Sequence, residues 1–180
     1  MSPGLLHLLD QMPATPVQVI SDLGDVLAQN AIAEALLGGM CSVSEHGRNV
    51  VWRWFADPAQ RAAYPVEEHE YYSRLHVADL RAAVGRRAGD PAAARLVERL
   101  LELGEEFACL WELHEVSVRR ASRMRVLHPL IGPVELDCQV LLAPEGDQRV
   151  VLYTPPVGSD TAERLALLKV VGTGQLTASG

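Results

Sequence analysis

Between Val134 and Leu142 every second residue is apolar: Val134, Leu136, Cys138, Val140 and Leu142 alternate with Glu135, Asp137, Gln139 and, less cleanly, Leu141. A period of two marks a strand with one face on a core and the other nearer water. Pro144-Glu-Gly-Asp-Gln148 is a polar turn, and Val150-Val-Leu-Tyr-Thr154 returns as a second strand. Upstream, Val116, Val118, Met124 and Val126 alternate in the same way, and His128-Pro-Leu-Ile-Gly-Pro133 is a turn-rich link. Three consecutive strands joined by short turns make an antiparallel meander, and its apolar face has to be covered. Much of the remaining chain has the periodicity of helix.

The 180 residues suit one domain of ordinary size, expected over 3–170, with a small, polar, frayed tail at 171–180. A hydrophobic content of 48% argues against disorder. No run of about 18 apolar residues is present, so no membrane span is expected. The start of the chain carries no charged leader with an apolar stretch, which suggests a cytoplasmic protein. Cys41, Cys109 and Cys138 are odd in number and far apart, as reduced thiols would be. A formal net charge of −7 makes the chain a poor partner for nucleic acid by itself. Only Lys169 among the 16 basic residues is lysine, a bias of GC-rich coding sequence.

Leu5, Leu6, Leu8, Leu9 and Met12 recur at helical spacing, so residues 3–12 read as a short amphipathic helix ended by Pro13 and Pro16. Val17 to Ser21 and Val26 to Gln29 form a hairpin about the turn Asp22-Leu-Gly-Asp25. Asn30 precedes Ala31 to Leu37 as a helix cap, and Gly38-Gly39 stops that helix. Hairpin, capped helix and stop form the opening of many PAS-type sensor domains. Asn49 to Phe55 is aromatic-rich and is broken by Asp57-Pro58, and residues 66–87 read as one long helix. Asp90-Pro91 starts another, and the apolar face running from Leu96 to His114 is interrupted at Gly104. Asp160 and Glu163 stand in capping-box spacing before a last helix, Thr161 to Lys169.

Catalytic and metal chemistry find little support. His69-Glu70 and His114-Glu115 lack a second histidine four residues after the first, and His69 and His76 are two turns apart. No nucleophile elbow, phosphate loop or dinucleotide fingerprint is present. Cys41 beside Ser42 has no neighbour that would lower its pKa, and Cys138 reads as a small apolar filler. Neither an enzyme, a metal nor a cofactor is expected. Arg119-Arg-Ala-Ser-Arg-Met-Arg125 is more informative. Strand alternation puts Arg120 on the apolar side, where it needs an anionic partner: Glu112, Glu115 or a bound acid. A bulge at 119–122 would turn it outward instead. Trp52, Phe55, Phe107 and Trp111 either line a cavity or fill the core.

Between Leu5 and Leu168 the chain resembles the ligand-binding domain of MmyB-like transcription regulators. The matching pieces are Leu5-Leu-His-Leu-Leu-Asp10, Thr15-Pro16, Asp25-Val-Leu-Ala-Gln-Asn30, Asn49 with Phe55-Ala-Asp-Pro58, and Leu80-Arg81. They continue with Glu106-Phe107, Leu110-Trp111, His114-Glu-Val116, His128-Pro129 with Gly132, and Gln148 to Ser159. Both asparagines and both phenylalanines of the chain fall on these pieces. Three positions depart from the family pattern. Gln29 stands where a Trp is usual, Gly104-Glu105 where a Ser is frequent, and Cys138 where an aromatic is frequent. They suggest a pocket of different shape.

The resemblance implies an α+β fold with a five-stranded antiparallel PAS-like sheet, one face of it covered by the helices of 49–115. It implies a sensor that holds a small apolar, fatty-acid-like molecule between sheet and helices. DNA would be reached only through an XRE-type helix-turn-helix domain not contained in these residues, and helix 3–12 would be the relay to it. The expected wall is Trp52, Phe55, Phe107, Trp111, Met124, Val126, Leu136 and Cys138, with Arg120 or His114 as its polar end. A homodimer without membrane contact is the expected assembly. A dimerisation or interaction module without ligand is the alternative, favoured if helix 3–12 or an outer sheet face bearing Leu127, Leu141 and Val151 is exposed. An enzyme acting on an acyl or aromatic substrate would need a polar catalytic pair inside the cavity.

Overall fold

The computed structural model describes residues 3–39, 47–118, 122–142 and 147–176, with side chains to 170. Cys41, Arg119, Arg120, and residues 143–146 and 177–180 lie outside the described residues, and with them the expectations placed there. The chain forms two compact units: residues 1–21, 26–41 and 120–180 make the first, and 22–25 with 42–119 the second.

The first unit holds a five-stranded antiparallel sheet built from β1 (Val17–Ser21), β2 (Val26–Gln29), β3 (Ser122–His128), β4 (Gly132–Leu142) and β5 (Gln148–Thr154). Its order is β2-β1-β5-β4-β3, so the amino-terminal hairpin joins the meander through β1 and β5. This is the PAS-like α+β fold expected from sequence. Cross-strand partners put Met124 opposite Leu136, Val126 opposite Val134, and Cys138 opposite Tyr153 on one face. Arg123, Arg125 and Leu127 fall on the other, where Arg123 donates to Asp137 at 2.9 Å.

Both faces carry helix. The helix α1 (Pro3–Asp10) sets Leu9 on Val17, Val19 and Val150, with Leu5 and Leu152 at the margin. On the opposite face, α2 (Ala31–Leu37) reaches the end of β3, where His128 Nε2 donates to the Ala35 carbonyl at 3.0 Å. Leu130 N–H donates to the other ring nitrogen of His128, which fixes the tautomer. The last helix, α8 (Thr161–Leu176), packs on α2 and β4, and Arg164 donates to the Ile131 carbonyl at 2.7 Å. It runs past Lys169, the end expected from the capping pattern.

Two expectations about the sheet change. The strand β3 begins at Ser122, not at Val116: residues 115–118 belong to no strand, and Ser117 N–H donates to the Ala78 carbonyl. Val116 and Val118 are exposed, so their alternation is that of a solvent-facing connection. Val151 is buried at 1% exposure, whereas Leu127 and Leu141 are exposed. It pairs with Gln18 and Val140, and therefore shares the face of Tyr153.

The second unit is helical: α3 (Val50–Ala56), α4 (Pro58–Ala62), α5 (His69–Arg86), α6 (Pro91–Leu103) and α7 (Glu105–Glu112). Residues 66–68 form a 3-10 turn ahead of α5, and Gly104 separates α6 from α7. The expected caps are in place: Asp57 accepts from Ala59 N–H, and Asp90 from Ala92 N–H. Pro58 and Pro91 follow them at the first helical positions. Leu23, Val51, Val77, Leu80, Leu96, Leu100 and Phe107 form the core of this unit.

Candidate functional site

Asn49 starts the local construction. It is fully buried, accepts from the N–H groups of Val51 and Trp52, and donates to the Leu23 carbonyl and to Asp25, all at 3.0 Å. The direction of α3 is thus fixed at its first turn, and with it the positions of Trp52, Trp54 and Phe55.

Phe55 and Trp111 stand on either side of Phe107. The Phe55 and Phe107 centroids are 5.2 Å apart at 83°, an edge-to-face contact. Phe107 and Trp111, one turn apart on α7, stack at 5.6 Å and 18°. Such contacts contribute roughly 0.5–1.5 kcal/mol each beyond the area they bury. Phe107 is buried at 1% exposure, whereas Phe55 and Trp111 keep part of their surface accessible. Trp52 is half-buried, packs on the same core, and carries Arg99 over its ring at 5.7 Å. Arg81 of α5 lies over Trp111, its guanidinium carbon 3.9 Å from the ring centroid, and its Nη2 donates to the Trp111 carbonyl.

Beside this group, Trp54 is enclosed by Tyr64, His69, Tyr72 and His76. Its Nε1–H donates to Ser73 Oγ at 2.8 Å, and Ser73 in turn donates to Glu106 at 2.7 Å. Arg61 pairs with Glu106 at 2.6 Å. Burial pushes the Glu106 carboxyl up, but the hydrogen bonds from Arg61 and Ser73 outweigh it and hold the group below its ordinary value. His69 Nε2–H is shared between the carbonyls of Arg61 and Tyr64. This cluster is a structural clasp between α3, α5 and α7.

The expected site residues fall into two groups, each coherent within its own unit. Phe55, Phe107 and Trp111 are brought together in the helical unit, with Trp52 beside them. Met124, Val126, Leu136 and Cys138 are all buried at 3% exposure or less on one face of the sheet. His114 is exposed after α7, with φ 56° and its ring Nδ1 donating to the Glu112 carbonyl. Arg120 lies outside the described residues.

Three polar features were not singled out from sequence. One is Arg81. Another is the pair Gln18 and Tyr153, buried at 2% and 5% exposure on the face of Cys138. Tyr153 Oη donates to Gln18 Oε1 at 2.8 Å, and Gln18 Nε2 donates to Gln29 at 2.9 Å. The third is Arg149, buried at 3% exposure near the start of β5. Only Arg81 had a readable signal: Val77 and Val84 lie four residues before it and three after, so it interrupts an apolar helical stripe.

Chemically, the helical group offers dispersion contacts from three rings and one cation over the Trp111 ring. No helix among the described residues is long and apolar enough to cross a membrane. No curated protein matches the chain in sequence. A family model does: the one described as MmyB-like transcription regulator ligand binding domain matches residues 1–168. With that match spanning nearly the whole chain and a PAS-like sheet beneath it, the chain belongs to the family of MmyB-like transcription regulator ligand binding domains.

Proposed function

We propose that this domain senses a small, largely apolar, fatty-acid-like molecule, and that occupancy controls DNA binding by a helix-turn-helix domain outside these residues. The observation that supports the reading best is the half-covered pair Phe55 and Trp111 about the buried Phe107. Rings held by their own packing, with part of the Phe55 and Trp111 surface left accessible, suit an aliphatic chain at low entropic cost. Regulation requires that the ligand bind one arrangement of the domain better than another, since only the difference shifts the population. The relay we assign to α1, whose Leu9 is seated on β1 and β5.

The test is thermal unfolding with and without dodecanoate, together with native mass spectrometry of the protein as expressed. A ligand present at about 100 times its Kd raises stability by about 2.7 kcal/mol, a shift of several degrees. Trp111→Ala should reduce that shift by more than half while the variant keeps its helical content. No shift with any fatty acid tested, and no co-purified apolar molecule, would refute the reading.

The second reading is a pairing module acting as a homodimer. Leu6 and Leu8 of α1 and Leu127 and Leu141 of the sheet are exposed, each at 40% or more. Sedimentation equilibrium of the wild type beside a Leu127→Lys, Leu141→Lys variant decides it: a dimer lost in the variant supports pairing through that face.

A further inference from the structure

Phe107 is the middle ring of the aromatic group and is 1% exposed, so an aliphatic chain reaches it only if a neighbour moves. The two ends of α7 are held unequally. At its start, Glu106 pairs with Arg61 at 2.6 Å and accepts from Ser73 at 2.7 Å. At its end, the Trp111 carbonyl accepts from His114 N–H at 3.3 Å and from Arg81 Nη2. His114 belongs to the segment 113–118, which leaves α7 without entering a strand. That segment has few ties. Glu115 meets Arg74 at 3.1 Å, both side chains about half exposed, and Arg74 also pairs with Glu70. Ser117 N–H donates at 3.3 Å to the Ala78 carbonyl, which α5 already pairs within itself. Both ties therefore open without stranding a buried group. Leu113, Val116 and Val118 are exposed, so burial contributes little to holding the segment. His114 sits at φ 56°, a left-handed conformation that disfavours the docked form and that the released chain can relax.

We propose that residues 113–118 form a strap whose release, with fraying of the last turn of α7, opens the way for an aliphatic ligand to Phe107. This rests on the reading of the domain as a binder of a fatty-acid-like molecule. Lifting the strap takes the His114 donor from the end of α7 and leaves its last carbonyls to water. Trp111 then moves off Phe107, while the first turn stays fixed by Arg61 and Ser73. Redocking covers the bound chain. A gate of this kind sets the rates of entry and exit together and leaves affinity alone.

The experiment pairs amide hydrogen exchange with stopped-flow tryptophan fluorescence of dodecanoate binding. It uses the wild type, Arg74→Gln and His114→Gly, with near-ultraviolet circular dichroism as the folding check. Without ligand, the wild-type amides of Leu113 to Ser117 should exchange at least about 100 times faster than that of Leu80 in the core. Arg74→Gln loosens the strap and should raise association and dissociation rates together by about two- to fivefold, the worth of an exposed ion pair, with Kd unchanged. His114→Gly should slow both by about twofold, since relief of the left-handed backbone outweighs the freedom that glycine adds to the released chain. Three results overturn the strap and leave the ligand reading standing: exchange at Ser117 as slow as at Leu80, rates unmoved by Arg74→Gln, or a change carried by dissociation alone. Absence of binding by the wild type removes both.

Discussion

Asparagine occurs twice in the chain, and both copies are structural junctions. Asn30 caps α2, accepts from Val17 N–H, and donates to the carbonyls of Met12 and Thr15. Asn49 does the equivalent for α3 with no exposed surface. Asn49→Ala removes the cap and strands buried partners, so it should cost about 2 kcal/mol or more in urea unfolding. Asp90→Ala, at a solvent-facing cap, should cost only about 1 kcal/mol. Glu106 gives a pH prediction. Its folded pKa lies below its ordinary value of 4.5, so its contribution is present above that value and is lost as pH falls through the folded one. The wild type should therefore exceed Glu106→Gln in melting temperature near neutral pH, with the gap closing in acid.

Among the elements, the hairpin of β3 and β4 turns at Gly132, whose φ of 74° suits glycine. A Cβ there would stand 3.0 Å from Arg164 Nη1, the group that donates to Ile131. Gly132→Ala should cost about 1–2 kcal/mol in thermal unfolding, from the left-handed backbone and the displaced arginine together. How far the elements can be read in advance depends on how one-sided they are. The strand β4 buries Val134, Leu136 and Cys138 against exposed Glu135 and Gln139, so its period of two is plain. The strand β5 is apolar on both faces, because α1 seats on Val150 while Val151 and Tyr153 are buried on the other side; its inward face has no signature. Val116 and Val118 imitate a strand by residue type alone, and the backbone of Ser117 is engaged by α5 instead. Phe107 and Trp111 are legible as neighbours by helical spacing. The bond between Tyr153 and Gln18 spans 135 residues and has no local trace. Arg81 does leave a local trace, an interruption of the apolar stripe between Val77 and Val84, but arginine on a helix is ordinarily read as a solvated residue.

At the scale of the whole molecule, the chain crosses between its two units four times, at 21/22, 25/26, 41/42 and 119/120. The briefest excursion is the turn Asp22–Asp25, whose Leu23 is 7% exposed in the helical core. Asp22 pairs with Arg87 at 2.8 Å, and the Gly24 carbonyl accepts from Val50 N–H. Leu23→Ala should therefore behave as a core deletion although it lies in a hairpin loop, costing about 2–4 kcal/mol in chemical denaturation followed by tryptophan fluorescence.

That borrowed turn has a mechanical corollary. The four residues of the β1–β2 loop pack with the helical unit yet continue directly into two strands, so a change in the packing about them is felt at the ends of both strands. A fluorinated leucine at position 23 would then serve as a strain gauge, its NMR line shifting on ligand addition if the helices move.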